Sequence, residues 1–245
     1  MTRFITILIA LFAYPFLAKA QGIDFGALSA AQQGATSGTI IQLFGLFTVL
    51  ALVPGILIAV TSFTRFIIIV SILRSGIGLQ TTPANIILIS LSLFLTFYVM
   101  SPVFEKSWTE GLLPLVEKKI SEVEALPKLA EPFRTFMLNN VRDKDLRLFV
   151  DLAAERGIKG NDGDKVTFQV LVPAFMISEL RRGFEIGFLI ILPFLVIDLI
   201  VATVTMAMGM MMLPPTVIAL PLKIMFFVLI DGWHLLAGSM VRSFN

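Results

Sequence analysis

Residues 186–206 read IGFLIILPFLVIDLIVATVTM, apolar throughout except for two threonines and a single ionisable residue, Asp198, and interrupted by Pro193. At 1.5 Å per residue a helix of this length crosses the ~30 Å hydrocarbon core of a bilayer. A carboxylate at its centre adds about 2.5–3.5 kcal/mol to lipid insertion, so Asp198 is expected to face protein or water. Three further stretches repeat the pattern: Ile40–Val60 with Pro54-Gly55, Ile86–Phe104, and Val217–Val241 with Pro221, Lys223 and Asp231. Apolar segments that carry prolines and central charges predict helices packed inside an assembly rather than isolated lipid-facing spans.

Composition agrees with a membrane protein. Of 245 residues, 57% are hydrophobic and 15% charged, against about a quarter charged in soluble domains. The sequence pI is about 9.0, yet Arg3 and Lys19 fall in a segment that reads as a leader, and beyond it 17 basic residues face 17 acidic ones. Arg181-Arg182 is the only adjacent arginine pair, so nucleic-acid binding is not expected. Without Cys there are no disulfides, thiolate ligands or thiol nucleophiles.

Residues 1–20 combine Arg3, the apolar run Phe4–Leu17 and Ala18-Lys19-Ala20, which has the small-x-small form of a signal-peptidase site. Cleavage before Gln21 is predicted; the alternative, a first membrane helix, is disfavoured by Tyr14-Pro15 and the short run. Residues 21–39, rich in Gly, Ser, Ala, Thr and Gln, read as a flexible arm. The remainder divides into a first hydrophobic helical hairpin, 40–104, a charged helical domain, 105–165, and a second hydrophobic helical hairpin, 166–245, with a Met-rich tip. The expected fold is therefore all-α and membrane-associated, with kinked hydrophobic hairpins and one charged domain outside the cytoplasm.

Two features complicate a simple span count. The apolar run resumes after Thr61-Ser62-Phe63-Thr64-Arg65 and continues to Leu73-Arg74; 34 helical residues would measure about 51 Å, so a kink at Pro54 or a protruding helix is expected. With the N-terminus outside, Arg65 and Arg74 fall on the cytoplasmic side, whereas Arg181-Arg182 falls outside. The positive-inside rule is obeyed once and violated once, which points toward hairpins buried by neighbouring subunits.

The charged domain holds 12 acidic and 11 basic residues, 23 of the chain's 36 charges. Leu112, Leu115, Val116, Ile120 and Val123 predict one helix, Glu131-Pro132 opens a second through Phe133, Phe136 and Met137, and a third runs from Asp143 as N-cap to Arg156 before Gly157. The mixed charges read as a solvated face. Asn161-Asp162-Gly163-Asp164 lacks the register of a Ca²⁺ loop and reads as a turn.

A search for chemistry yields no catalytic, cofactor-binding or metal-ligating set. His234 follows Asp231 by three residues with Ser239 nearby, which falls short of a hydrolytic triad. No P-loop or dinucleotide loop occurs. Asp198, Lys223 and Asp231 have two readings. One is a proton pathway; the other, favoured because no internal repeat is visible, is interhelical pairing of Asp198 or Asp231 with Lys223 or Arg182. Gly183-x-x-x-Gly187 would permit close helix approach. Met206-Ala207-Met208-Gly209-Met210-Met211-Met212-Leu213-Pro214-Pro215 is a compliant apolar tip. Met alone reads first as core or lipid contact, but several copies around an axis would form a soft seal.

These strings resemble the FliP/SctR family of type III export-gate subunits over nearly the whole chain from about Gln42. The resemblance rests on Thr61-Ser62-Phe63-Thr64-Arg65, Leu95-Thr96-Phe97 with Met100-Ser101-Pro102, Pro173-Ala174-Phe175 with Ser178-Glu179-Leu180, and Pro193-Phe194-Leu195 with Ile197-Asp198-Leu199. It continues through Met210 to Pro215, Leu220-Pro221-Leu222-Lys223 and Asp231-Gly232-Trp233. Arg182-Gly183 departs mildly from the usual Lys-x-Ala form. The leader is typical of the flagellar branch. The resemblance implies a non-enzymatic, pore-forming core subunit of the flagellar export gate, without cofactors. It would self-associate in several copies with FliQ- and FliR-like subunits inside the basal-body ring of the bacterial inner membrane, and conduct unfolded flagellar subunits. It also implies a periplasmic mature N-terminus and 105–165 domain, and assigns Met210, Met211 and Met212 to the gasket of the closed pore. A proton-coupled or small-solute secondary transporter, with Asp198 and Asp231 in its path, and a docking scaffold are the competing readings.

Overall fold

The computed structural model describes residues 37–158, 166–209 and 214–244. The leader, most of the segment read as an arm, the Asn161–Asp164 turn and Met210–Met212 lie outside the described residues. Residues 1–54 and 55–245 form two units; apart from helix α1, which crosses that boundary, all that follows concerns the second. Every regular element among the described residues is helical.

Helix α1 is Ser37–Val60 and α2 is Phe63–Ile77. The break falls at Thr61-Ser62 and not at Pro54, which stands inside α1. Hydroxyl chemistry accounts for it: Phe63 N–H donates to Thr61 Oγ1 (3.4 Å) and Thr64 Oγ1 donates to Ile58 O (3.2 Å), bonds that compete with the helical ladder. Gly78, at φ 93°, ends α2 in the left-handed conformation that favours glycine. Helix α3, Asn85–Ser107, returns alongside α2.

The charged domain is built differently from the expected three helices. After α3 the chain makes one π-helical turn, Trp108–Leu112, and a single α turn, α4, Leu113–Val116. Lys118, at φ 57°, then reverses the chain. Helix α5 is Glu122–Asn140, one element where two were expected, with Pro127 and Pro132 inside it. Its start is a capping box: Ser121 Oγ accepts from Glu124 N–H and the Glu124 carboxylate accepts from Ser121 N–H, a stronger start signal than Glu131-Pro132. The hydrogen bonds from Ser121 hold the Glu124 carboxyl below the usual carboxylate range. Helix α6, Asp143–Glu155, takes Arg142 rather than Asp143 as its N-cap.

Helix α7, Phe168–Ala207, is 40 residues long and so measures about 60 Å. It begins well before the apolar run that starts at Ile186, because Val170, Leu171, Ala174 and Phe175 are already buried. Val170, Leu171 and Phe175 join Met137 and Ala153 in a core beneath α5 and α6. A second core gathers Phe66, Ile69, Val70 and Leu73 of α2 with Leu88, Phe194, Phe227, Leu236 and Met240. The fourth apolar stretch is broken: α8, Pro215–Leu229, and α9, Gly232–Arg242, meet at a 67° bend. Among the described residues, Asn85–Val116 and Phe168–Ala207 are long and apolar enough to cross a membrane, and α8 with α9 qualifies only as a bent pair.

Candidate functional site

Helices α2 and α7 share the most extensive interface of the fold, and they run parallel. Ile68 meets Gly183, Ile72 meets Gly187 and, with the roles exchanged, Ile191 meets Gly76. A Cβ placed on these glycines would stand 3.1, 2.6 and 2.4 Å from the facing isoleucine. Each pair lies four residues beyond the last on both helices, so the i±4 rows mesh and the missing side chains let the backbones close. The sequence showed Gly183-x-x-x-Gly187; its reciprocal partner, Gly76, belongs to no such spacing.

A charged lock stands at each end of this pair. At the first, Arg65 and Glu179 are both fully buried: Nε donates to Oε2 at 2.8 Å and Nη2 donates to Oε1. Arg65 Nη1 donates to Ser243 O (2.7 Å) and Oγ (3.0 Å), and the guanidinium carbon lies 3.5 Å from the ring centre of Phe244. That ring stacks on Phe136 of α5. One planar, five-donor fork thus ties α2, α7 and the residues after α9 to the charged domain. Beside it, Ser178 Oγ donates to Asp145 Oδ2 (2.7 Å) and accepts from Arg142 N–H (3.1 Å), pinning the start of α6 to α7.

At the second lock Lys223 Nζ donates to Asp198 Oδ2 at 2.6 Å and to Gly76 O at 3.0 Å. The Lys223 side chain is buried and that of Asp198 is 37% exposed. Gly76 O belongs to the last turn of α2, so the ammonium satisfies a terminal carbonyl and the negative end of that helix as well as a carboxylate. Lys223 opposite Asp198, and Phe227 against Phe194, set α8 antiparallel to α7.

The other residues singled out from the sequence lie elsewhere. Among the described residues Asp231 makes no ion pair; it occupies the α8–α9 bend with left-handed backbone, φ 51° and ψ 52°, a conformation Asp tolerates better than most residues. Gly232 follows because a Cβ there would stand 2.2 Å from Phe227. Arg182 is half-buried and pairs with neither Asp198 nor Asp231. Ser239 Oγ donates to Leu236 O, not to His234. Met210, Met211 and Met212 lie outside the described residues, between Gly209, at φ 73°, and the Pro214-Pro215 start of α8. Because Ile191 packs on Gly76 near the end of α2, α7 continues for roughly 24 Å beyond that level before the Met string.

Arg65, Glu179, Ser178, Ser243 and Phe244 were not singled out from the sequence as site residues. Arg65 carried a signal nonetheless, as the one charge between Asp24 and Arg74 in an apolar neighbourhood where lipid insertion is unfavourable, whereas Glu179 stands among Arg181, Arg182 and Glu185. Level pairing of Arg65 with Glu179 also places Arg65 and Arg181-Arg182 at the same end of the helix pair. The split that a four-span arrangement imposes on them does not occur.

The geometry defines a helical protein of the membrane type: among the described residues two helices, or three with the bent pair, are long and apolar enough to cross a membrane, and ion pairs between apolar helices lock them together. The FliP family profile matches residues 46–240. Flagellar biosynthetic protein FliP of Agrobacterium fabrum is 62% identical over 245 residues, the whole of both chains. The protein of the same name from Rhizobium meliloti is 60% identical over 244 residues, also the whole of both. That of Bacillus subtilis is 48% identical over 204 residues, 83% of this chain and 91% of its own. The chain belongs to the FliP family.

Proposed function

We propose that the chain is a pore-forming core subunit of the flagellar type III protein export gate and that it conducts unfolded flagellar subunits. The supporting observation is identity along the whole chain to relatives named flagellar biosynthetic proteins. In this reading several copies assemble with FliQ- and FliR-like subunits in the basal-body ring of the inner membrane. The 105–165 domain and the mature N-terminus face the periplasm. The uncovered apolar side chains of α7, among them Phe184 (60% exposed), Leu189 (64%) and Leu199 (66%), suit such an assembly, because soluble monomers rarely expose large contiguous apolar patches.

Met210, Met211 and Met212 then form the gasket. The string follows α7 in sequence, beyond the Asp198–Lys223 lock, between a left-handed Gly209 and two prolines. Flexible thioethers from several copies would close the pore to ions by dewetting and yield to a passing chain. Secretion of hook and filament proteins by a strain lacking this chain, with and without complementation in trans, tests the function. Loss restored by complementation is expected. Normal secretion and motility in the deletion strain would reject the reading. Replacing all three Met residues with Gly is expected to leave assembly intact and raise ion leakage through the closed gate, read as conductance or growth under ionic stress.

A further inference from the structure

Helices α3 and α9 share one core through Leu88, Leu236 and Met240, and outside it an open slot of about 480 Å³ runs between them. Ile87, Leu91 and Leu95 of α3 and Trp233, Ala237 and Met240 of α9 form its walls; His234, near one end, is the polar exception. From Pro83 to Leu95 the slot extends roughly 18 Å at the helical rise, open along one side and floored by the buried Leu88 and Leu236. An extended polymethylene chain, which has no polar group to leave unpaired, suits a lining that is apolar but for His234.

The mouth of the slot is cationic. Pro83, which lines it, accepts a hydrogen bond through its carbonyl from Arg74 Nη1 (3.4 Å), and the same nitrogen donates to Asn85 Oδ1. Arg74 is only half-buried and makes no ion pair among the described residues, leaving Nε and Nη2 to bind an anion. The exposed carboxylate of Asp231 lies three residues before His234 on the α8–α9 bend, and it makes no ion pair with Arg74. An uncompensated guanidinium at the end of an apolar slot, one wall of which is a helix long and apolar enough to cross a membrane, matches one class of molecule. We propose that the α3–α9 slot binds one acyl chain of a membrane phospholipid, whose phosphodiester pairs with Arg74. The site is independent of the export-gate reading and requires only that α3 and α9 meet lipid.

The chain has two tryptophans, and Trp233 lines the slot, so Trp108→Phe leaves a single reporter. The full-length variant in mixed micelles is titrated with phosphatidylglycerol carrying dibrominated acyl chains, and Trp233 quenching is followed. Quenching that saturates near one lipid per chain is expected. Ala237→Phe and, from the other wall, Leu91→Phe should remove the saturable phase while far-UV circular dichroism is unchanged. Arg74→Gln should raise the half-saturation concentration by about tenfold, the loss of one charge-assisted contact. Quenching that rises in proportion to the brominated fraction, equally in the filled variants, means bulk lipid only and overturns the proposal. Absence of quenching with Leu91→Cys cross-linking to a second copy would give the slot to a neighbouring chain and overturn it equally.

Discussion

Glu179→Leu is expected to destabilise the fold by about 3–5 kcal/mol, enough to abolish accumulation of a marginally stable protein. The substitution leaves the Arg65 guanidinium buried with no carboxylate, and burial of an unpaired charge is the most unfavourable outcome open to such a site. Its remaining partners, Ser243 and Phe244, supply a carbonyl, a hydroxyl and a ring face but no negative charge. Arg65→Met alone should fail similarly by stranding Glu179. The double variant Arg65→Met/Glu179→Leu should recover most of the loss, since two apolar side chains of similar volume need no counter-charge. Denaturant titration in detergent of all four species closes the cycle. A double variant as unstable as the worse single would show that the residues matter for reasons other than their pairing.

The second large effect is steric. Gly187→Leu drives a side chain into Ile72, whose Cδ1 already lies 2.6 Å from where a Cβ would stand, and α2 and α7 must separate. Overpacking of this kind destabilises by about 1–3 kcal/mol. Here it also lifts the helices away from both locks, which demand hydrogen-bond distances. Ile72→Ala in the same chain should recover part of the loss by vacating the space. A Gly187→Leu protein with unchanged thermal stability and intact α2–α7 disulfide trapping, through cysteines introduced into this Cys-free chain, would show that the close approach is dispensable.

Much of this architecture was legible in the residues. Hydropathy alone gave the helical membrane character, and Asp198 and Lys223 stood out because a charge inside an apolar run has to be explained. What hid the rest was locality. The capping box at Ser121 and Glu124 outweighed the more visible Glu131-Pro132, because two backbone donors are satisfied at Ser121 whereas prolines inside α5 only remove donors. The break after Val60 came from Thr61 and Thr64 hydroxyls rather than from Pro54, and periodicity does not register hydroxyls. Helix α7 was cut short because its first four turns bury one face against α5 and α6 and so lack the all-round apolarity of a span. The Arg65–Glu179 pair joins positions 114 residues apart, a relation no window of sequence contains.

That same distance imposes an order in time. At about 5–20 residues per second, synthesis of the segment between Arg65 and Glu179 takes about 6–23 s. Throughout that interval α2 exists without the carboxylate its guanidinium requires, and α3, the charged domain and the first turns of α7 must be made before the two can meet. Loop closure over so long a segment is slow compared with local helix formation. The nascent α2 therefore spends seconds as a helix with an unneutralised arginine, held in water, at a membrane surface or against another protein, and takes its final place only when α7 arrives to receive it.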